Sequence, residues 1–161
     1  MDSNLHLFEI DGQIIECAEV ALDVILPLRH DVIITGTNRS SDEFDGDRLD
    51  TTHHYAARLN DEVIGCLTML LTKWNEADAW QLRGMATRSD WKGRGVGKHL
   101  LDFAVSDLNS RFSITQYWCN ARTNALEFYK KQGWQTESQE FVIEGVGSHY
   151  KMSKVSKINI G

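Results

Sequence analysis

The residues with the clearest chemical purpose are Lys92-Gly93-Arg94-Gly95-Val96-Gly97-Lys98, three glycines at alternate positions set among three cations. Glycine lets a turn bend with its N–H groups exposed and lets a ligand come close. An amphipathic helix follows at once, and its unpaired amides and positive dipole end favour phosphate. Residues 81–87 (Gln-Leu-Arg-Gly-Met-Ala-Thr) read as a buried strand feeding the turn. Strand, glycine turn and helix in that order make a phosphate or pyrophosphate site; a loop that needs glycines only to bend is the plainer alternative. Two familiar phosphate motifs fail. A P-loop would need glycine where Lys92 stands and a hydroxyl where His99 stands. The dinucleotide fingerprint would need glycine where Lys98 stands. Neither a nucleoside triphosphate nor NAD is implied.

Lys92 to Gly97 does fit Gln/Arg-x-x-Gly-x-Gly/Ala, with lysine at the first position. Further on, Ala125-Leu-Glu-Phe128-Tyr129-Lys-Lys-Gln-Gly133-Trp134 fits Ala-x-x-Phe-Tyr-x-x-x-Gly-Phe. On these two motifs, in this order, the chain resembles the GNAT superfamily of acyl-CoA-dependent N-acyltransferases over roughly residues 50–155. The resemblance implies an α/β fold: a central, mostly antiparallel sheet splayed at one parallel strand pair, with helices on both faces. It implies acetyl-CoA as co-substrate and no metal. The pantetheine arm would pair with backbone groups around Met85, Ala86 and Thr87. The pyrophosphate would sit on the amides of Lys92, Gly93, Arg94, Gly95, Val96, Gly97 and Lys98. Arg94 and Lys98 either add charge there or are solvated surface. Many family members carry a cofactor-contacting asparagine at the place of Arg122; Asn124 and Glu127 instead have the spacing of a helix capping box.

Acyl transfer from a thioester needs a neutral amine, a stabilised oxyanion and a proton for the leaving thiolate. The resemblance makes Tyr129 the acid, the alternative being a core aromatic, and the Met85 N–H the oxyanion donor. Some members have a glutamate base where this chain has Gln81, which accepts no proton. His149, just past the turn Gly145-Val-Gly147, is the candidate base or else a hairpin histidine. His53 and His54 are adjacent on a strand and point to opposite faces. The acidic stretch 41–47, holding Asp42, Glu43, Asp45 and Asp47, is expected either to draw a cationic amine towards the acceptor pocket or to be a solvated loop.

The elements that must position these groups follow from periodicity. Strands are expected at 5–10, 53–59, 63–72, 79–87 and 114–119, with a closing hairpin of 134–143 and 149–155. Helices are expected over 18–34, where Pro27 marks a start or a kink, over 95–109 and over 122–132. Residues 35–52 read as a loop. With 161 residues, 42% of them hydrophobic and 25% charged, the chain suits one domain over 1–161. A net charge of −6 argues against nucleic acid as a partner. The N-terminus has no leader pattern and no apolar run is long enough to span a bilayer, so no membrane partner and a cytoplasmic location are expected. Cys17, Cys66 and Cys119 are scattered, which suggests neither disulfides nor zinc. The acceptor is a small-molecule or protein amine, and a homodimer stays open. A catalytically degenerate acyl-CoA-binding regulatory module is the rival reading; intact Tyr129 favours the enzyme, and Gln81 keeps the rival alive.

Overall fold

The computed structural model describes residues 4–156, so the first three residues, on which the leader reading partly rests, lie outside it. A hairpin opens the fold, β1 (Leu5–Ile10) and β2 (Gln13–Val20). Its turn is Asp11-Gly12, both residues at positive φ (50° and 79°), the two-residue geometry whose twist matches paired strands. Residues 18–34 are therefore not one helix. In β2, Ile15 and Cys17 alternate into the core, and α1 (Leu22–Arg29) begins only after the strand ends. Pro27 lies inside α1, and the helix loosens into a wider turn over His30–Ile34.

The middle of the chain is a meander of β3 (His53–Leu59), β4 (Glu62–Trp74) and β5 (Ala77–Thr87). Its turns are tight: Asn60 opens the first at φ 50°, and Asn75-Glu76 form the second at φ 51° and 68°. After the glycine turn comes α2 (Val96–Arg111), then β6 (Gln116–Arg122) and α3 (Leu126–Lys131). The expected strand 134–143 is reduced to β7 (Gln135–Thr136) and β8 (Phe141–Ile143), and β9 (Gly147–Val155) closes the sheet.

The nine strands form one sheet in the order β1-β2-β3-β4-β5-β6-β9-β7, with β8 against β9. All neighbours are antiparallel except β5 and β6. One face carries α1, whose Leu22, Ile25 and Leu28 pack on Ala56, Cys66 and Ala86. The other carries α2 and α3, with Leu100, Leu101, Ala104 and Leu108 packed over Tyr55, Leu67 and Tyr117. Alternation along β3 divides the work: Tyr55 and Ala57 face α2, and Ala56 faces α1. The fold class is the one the motifs imply, an α/β sheet with one parallel pair and helices on both faces. Among the described residues no helix is long and apolar enough to cross a membrane.

Candidate active site

The site begins where the parallel pair stops pairing. β5 and β6 are in register only from Trp80↔Tyr117 to Leu82↔Cys119. Beyond that point Arg83–Thr87 and Asn120–Arg122 part, and both line a cavity of about 770 Å³. The other flank of β5 is irregular at the same place. Thr68 pairs with Arg83 and Cys66 with Ala86, so Gly84 and Met85 form a bulge that has no partner in the register with β4. Gly84 is required there. It has φ +60°, and a Cβ on it would lie 3.0 Å from the Phe44 ring.

At one end of the cavity stands the glycine turn. A short helical turn, Ser89–Trp91, buries Trp91 against the core, and Gly95 ends the turn in the left-handed region (φ 93°), directly before α2. Six of the seven expected turn residues line the cavity: Lys92, Gly93, Gly95, Val96, Gly97 and Lys98. Arg94 does not. Its guanidinium stacks 3.9 Å from the centroid of Trp91 and pairs with Asp11 at 2.6 Å, so the charge expected at the phosphates is engaged elsewhere. Lys98 is paired with Asp102 one turn along the helix, at 3.0 Å. Gly97 is tight: a Cβ would meet the Met85 methyl at 3.2 Å and the Phe128 ring at 3.5 Å.

Tyr129 lies at the floor. α3 presents it inward against Phe128 and Trp134, and its hydroxyl is 3.7 Å from the Met85 sulfur. Burial pushes the phenol well above its ordinary value, with a smaller contribution from Cys119. The hydroxyl therefore holds its proton across the neutral range. Gly133 follows the helix with φ 88°, and Trp134 N–H returns to the Tyr129 carbonyl at 3.0 Å, a left-handed cap that sets the ring's entry angle. The capping box upstream is not formed. The residue capping α3 is Ala125, without a side-chain bond, and Asn124 lines the cavity instead, as do Arg122 and Ala125. Met85, Ala86 and Thr87 line it from β5.

His149 reaches the cavity from β9, 4% exposed and stacked on Phe141. Its Nδ1–H donates to the Gly147 carbonyl at 2.7 Å. That bond fixes the tautomer and leaves Nε2 with its lone pair, and Nε2 has no partner among the described residues. His53 and His54 do not join it. His53 pairs with Glu19, and His54 bridges the Thr68 hydroxyl and the Asp47 carbonyl. Gln81 lines the cavity where a carboxylate base would stand.

The acidic stretch divides: Asp42, Glu43 and Asp45 keep contact with solvent, as in a solvated loop, and Asp47 does not. Asp47 is 5% exposed and grips Arg29 at 2.6 Å. Asp42 pairs with His30 at 2.6 Å, and Glu43 with Arg48 at 2.7 Å. None of the four carboxylates lines the cavity, and the loop contributes Arg39 and Phe44 to it instead. Phe44, Arg39 and Arg83 are polar or aromatic lining residues to which the sequence reading gives no role, and it gives Asn124 only a capping role. Among the described residues no group of three or more His, Cys, Asp or Glu is placed to hold a metal ion.

With this geometry in hand, likeness to known proteins is informative. A family model described as an acetyltransferase (GNAT) domain matches residues 50–136. The uncharacterized N-acetyltransferase YitI of Bacillus subtilis is 37% identical over 79 residues, 49% of this chain and 52% of that protein. The matched segment thus spans about half the length of that curated relative. An acyl-CoA N-acyltransferase from Pseudomonas aeruginosa superposes with a TM-score of 0.72 at 18% identity, covering 88% of this chain and 99% of its own. A GNAT acetyltransferase from Elizabethkingia anophelis, solved with acetyl-CoA bound, superposes with a TM-score of 0.64 at 16% identity, covering 88% and 97%. At such identities the structures speak for the fold.

Proposed function

The chain belongs to the GNAT acetyltransferase family, and from that premise we propose that it transfers an acetyl group from acetyl-CoA to a primary amine by direct attack in a ternary complex. The observation that carries this reading is the parting of β5 and β6. It opens a cavity with the glycine turn at one end and the Tyr129 hydroxyl, 3.7 Å from the Met85 sulfur, at its floor. The lining suits the co-substrate. It combines the glycine backbone of 93–97, the bulged edge of β5 and cations without one carboxylate.

Acetyl-CoA supplies the thioester carbonyl. The amides of Gly93 to Lys98 hold the pyrophosphate, with Lys92 beside them and Arg122 and Asn124 on the facing wall. Thr87 and the bulged Met85 offer backbone groups to the pantetheine amides, and the Met85 N–H stabilises charge on the carbonyl oxygen as it develops. Tyr129 stays protonated because it is buried, so its hydroxyl donates to the departing sulfur and is reprotonated from solvent. His149 Nε2 takes the proton released by the amine. The acceptor is a small-molecule or protein amine, and the enzyme works in the cytoplasm without a metal.

An amine and peptide panel incubated with acetyl-CoA, read by released CoA thiol, tests the proposal. Acceptor-dependent thiol release is expected. Tight acetyl-CoA binding without transfer to any amine would instead favour the regulatory module, the reading that Gln81 keeps in view.

A further inference from the structure

The cavity has a second end, and its charge is unexpected. The whole chain carries a formal net charge of −6, yet the lining holds five cations, Arg39, Arg83, Lys92, Lys98 and Arg122, and no Asp or Glu. Lys92 and Lys98 belong to the glycine turn and Arg122 to the opposite lip, where they answer the phosphates of the co-substrate. Arg39 and Arg83 stand elsewhere. β5 runs from Arg83 through Met85 and Thr87 into the turn, so Arg83 lies on the far side of Met85 from the glycines.

Phe44 organises this end. Three guanidinium carbons surround its ring, those of Arg29, Arg39 and Arg83 at 4.1, 4.9 and 5.1 Å from the centroid. Arg29 is fully buried and its charge is already answered by the Asp47 carboxylate, with the Thr68 hydroxyl and the Asp42 carbonyl accepting from its terminal nitrogens and only Nε left without a partner among the described residues. The charges of the other two are not answered. Arg83 is half-buried and donates only to the Asp45 carbonyl, at 2.9 Å, although a guanidinium has five N–H donors. Arg39 makes no side-chain hydrogen bond or ion pair among the described residues, and the Asp45 carboxylate is exposed and unpaired. Arg39 is exposed and keeps its water, whereas Arg83 has lost part of its hydration without a paired carboxylate, which is costly unless a ligand supplies the counter-charge. The cavity lining also includes the apolar side chains of Val32, Ile33, Ile143 and Val146.

We propose that the acceptor is a primary amine with an apolar body and an oxyanion, a carboxylate or a phosphate, which Arg39 and Arg83 grip across the Phe44 ring while the amine faces Met85 and Tyr129. The proposal rests on the acetyl-transfer reading above. Paired guanidinium forks suit a planar oxyanion, which they bind through parallel N–H bonds.

Matched amines test this. Acetylation of phenylalanine is compared with phenethylamine, and of phosphoethanolamine with ethanolamine, in wild type and in the double variant Arg39→Gln, Arg83→Gln. In wild type the anionic member of a pair should win by at least ~10-fold in kcat/KM, the scale of a charge-assisted bond. Which pair shows the preference identifies carboxylate or phosphate. The double variant should lose the preference through KM, with acetyl-CoA affinity unchanged. Equal or faster acetylation of the neutral partners by wild type overturns the proposal while leaving acetyl transfer intact. If acetyl-CoA binds and no amine is acetylated, the acetyl-transfer reading fails separately. Calorimetric titration of phenylalanine and phosphoethanolamine into the CoA-loaded protein then decides: binding lost in the double variant supports an anion site, and no binding in wild type refutes it.

Discussion

The two ends of the cavity are made of different material. The glycine turn is a backbone device: Gly93, Gly95 and Gly97 expose amides, α2 adds its dipole, and the one arginine inside the turn looks away to Asp11 and Trp91. The far end is a side-chain device, in which Arg39 and Phe44 of the 35–52 loop meet Arg83 of β5 around one ring. A backbone site tolerates exchange of its side chains and fails when its geometry is altered. A side-chain site fails when one group is removed, and it is free to change specificity without touching the co-substrate.

The strongest way to break the comparison is from behind the far end. Asp47 holds Arg29 and also accepts from the Phe44 amide at 2.6 Å. Asp47→Ala leaves a buried guanidinium unpaired, which costs about 3–5 kcal/mol. Thermal denaturation should show a Tm lower by roughly 6–20 °C, the scale for a chain of this size. The acceptor KM should rise with Phe44 displaced, while acetyl-CoA affinity at low temperature holds. A Tm within a degree of wild type would mean that the Arg29–Asp47 pair does not support this wall.

Tyr129→Phe separates chemistry from binding at the point where the two ends meet. Turnover should fall by ~10²-fold, the scale of a lost general acid, with acetyl-CoA affinity nearly intact because the ring remains. Stopped assays at saturating substrates check it, and turnover within a factor of two of wild type would make Tyr129 a packing residue with water as the acid.

The smallest effect concerns pH. Burial depresses His54 below the ordinary histidine value, against weaker opposing contributions from Asp47. The unfolded chain therefore takes up its proton first as pH falls. The stability this neutral histidine contributes is complete above ~6.5, the unfolded value, and is lost as pH drops from there towards the folded value. Denaturant midpoints measured between pH 7 and pH 5 should fall with a steeper slope in wild type than in His54→Gln, and parallel slopes would remove His54 from the account.

Much of the turn side was legible because backbone needs are written locally. Only glycine serves at φ 93° before α2, and Tyr129 follows from its own helix. The same logic reached Asn60-Asp61 yet passed over Asp11-Gly12, whose positive-φ pair was equally visible and would have ended the first helix at β2 rather than beginning it at residue 18. For Arg94 the sequence left two readings, added charge or surface, and could not choose between them because its partner, Asp11, is distant in sequence. Asn124 has capping spacing, but the chain enters α3 through a tighter turn at Thr123–Ala125, which leaves the side chain to the cavity. The far end left no local trace. Phe44 sits in a run that reads as solvated acid, and its burial depends on Asp47 finding Arg29 from another segment. The sequence left the four carboxylates either facing the acceptor or solvated; in the fold Asp42, Glu43 and Asp47 are paired, and the loop gives Arg39 and Phe44 to the cavity instead.

The central claim is that a backbone site for acetyl-CoA stands apart from a side-chain site for the acceptor. Calorimetric titration of acetyl-CoA into wild type, Gly95→Glu and Arg39→Gln/Arg83→Gln tests it most directly. Gly95→Glu puts a side chain and a negative charge into a left-handed position beside the phosphates, and affinity should fall by at least ~10²-fold, about 2.7 kcal/mol. The arginine variant should bind as wild type does. Undiminished affinity in a folded Gly95→Glu protein, or a comparable loss in the arginine variant, would contradict the account.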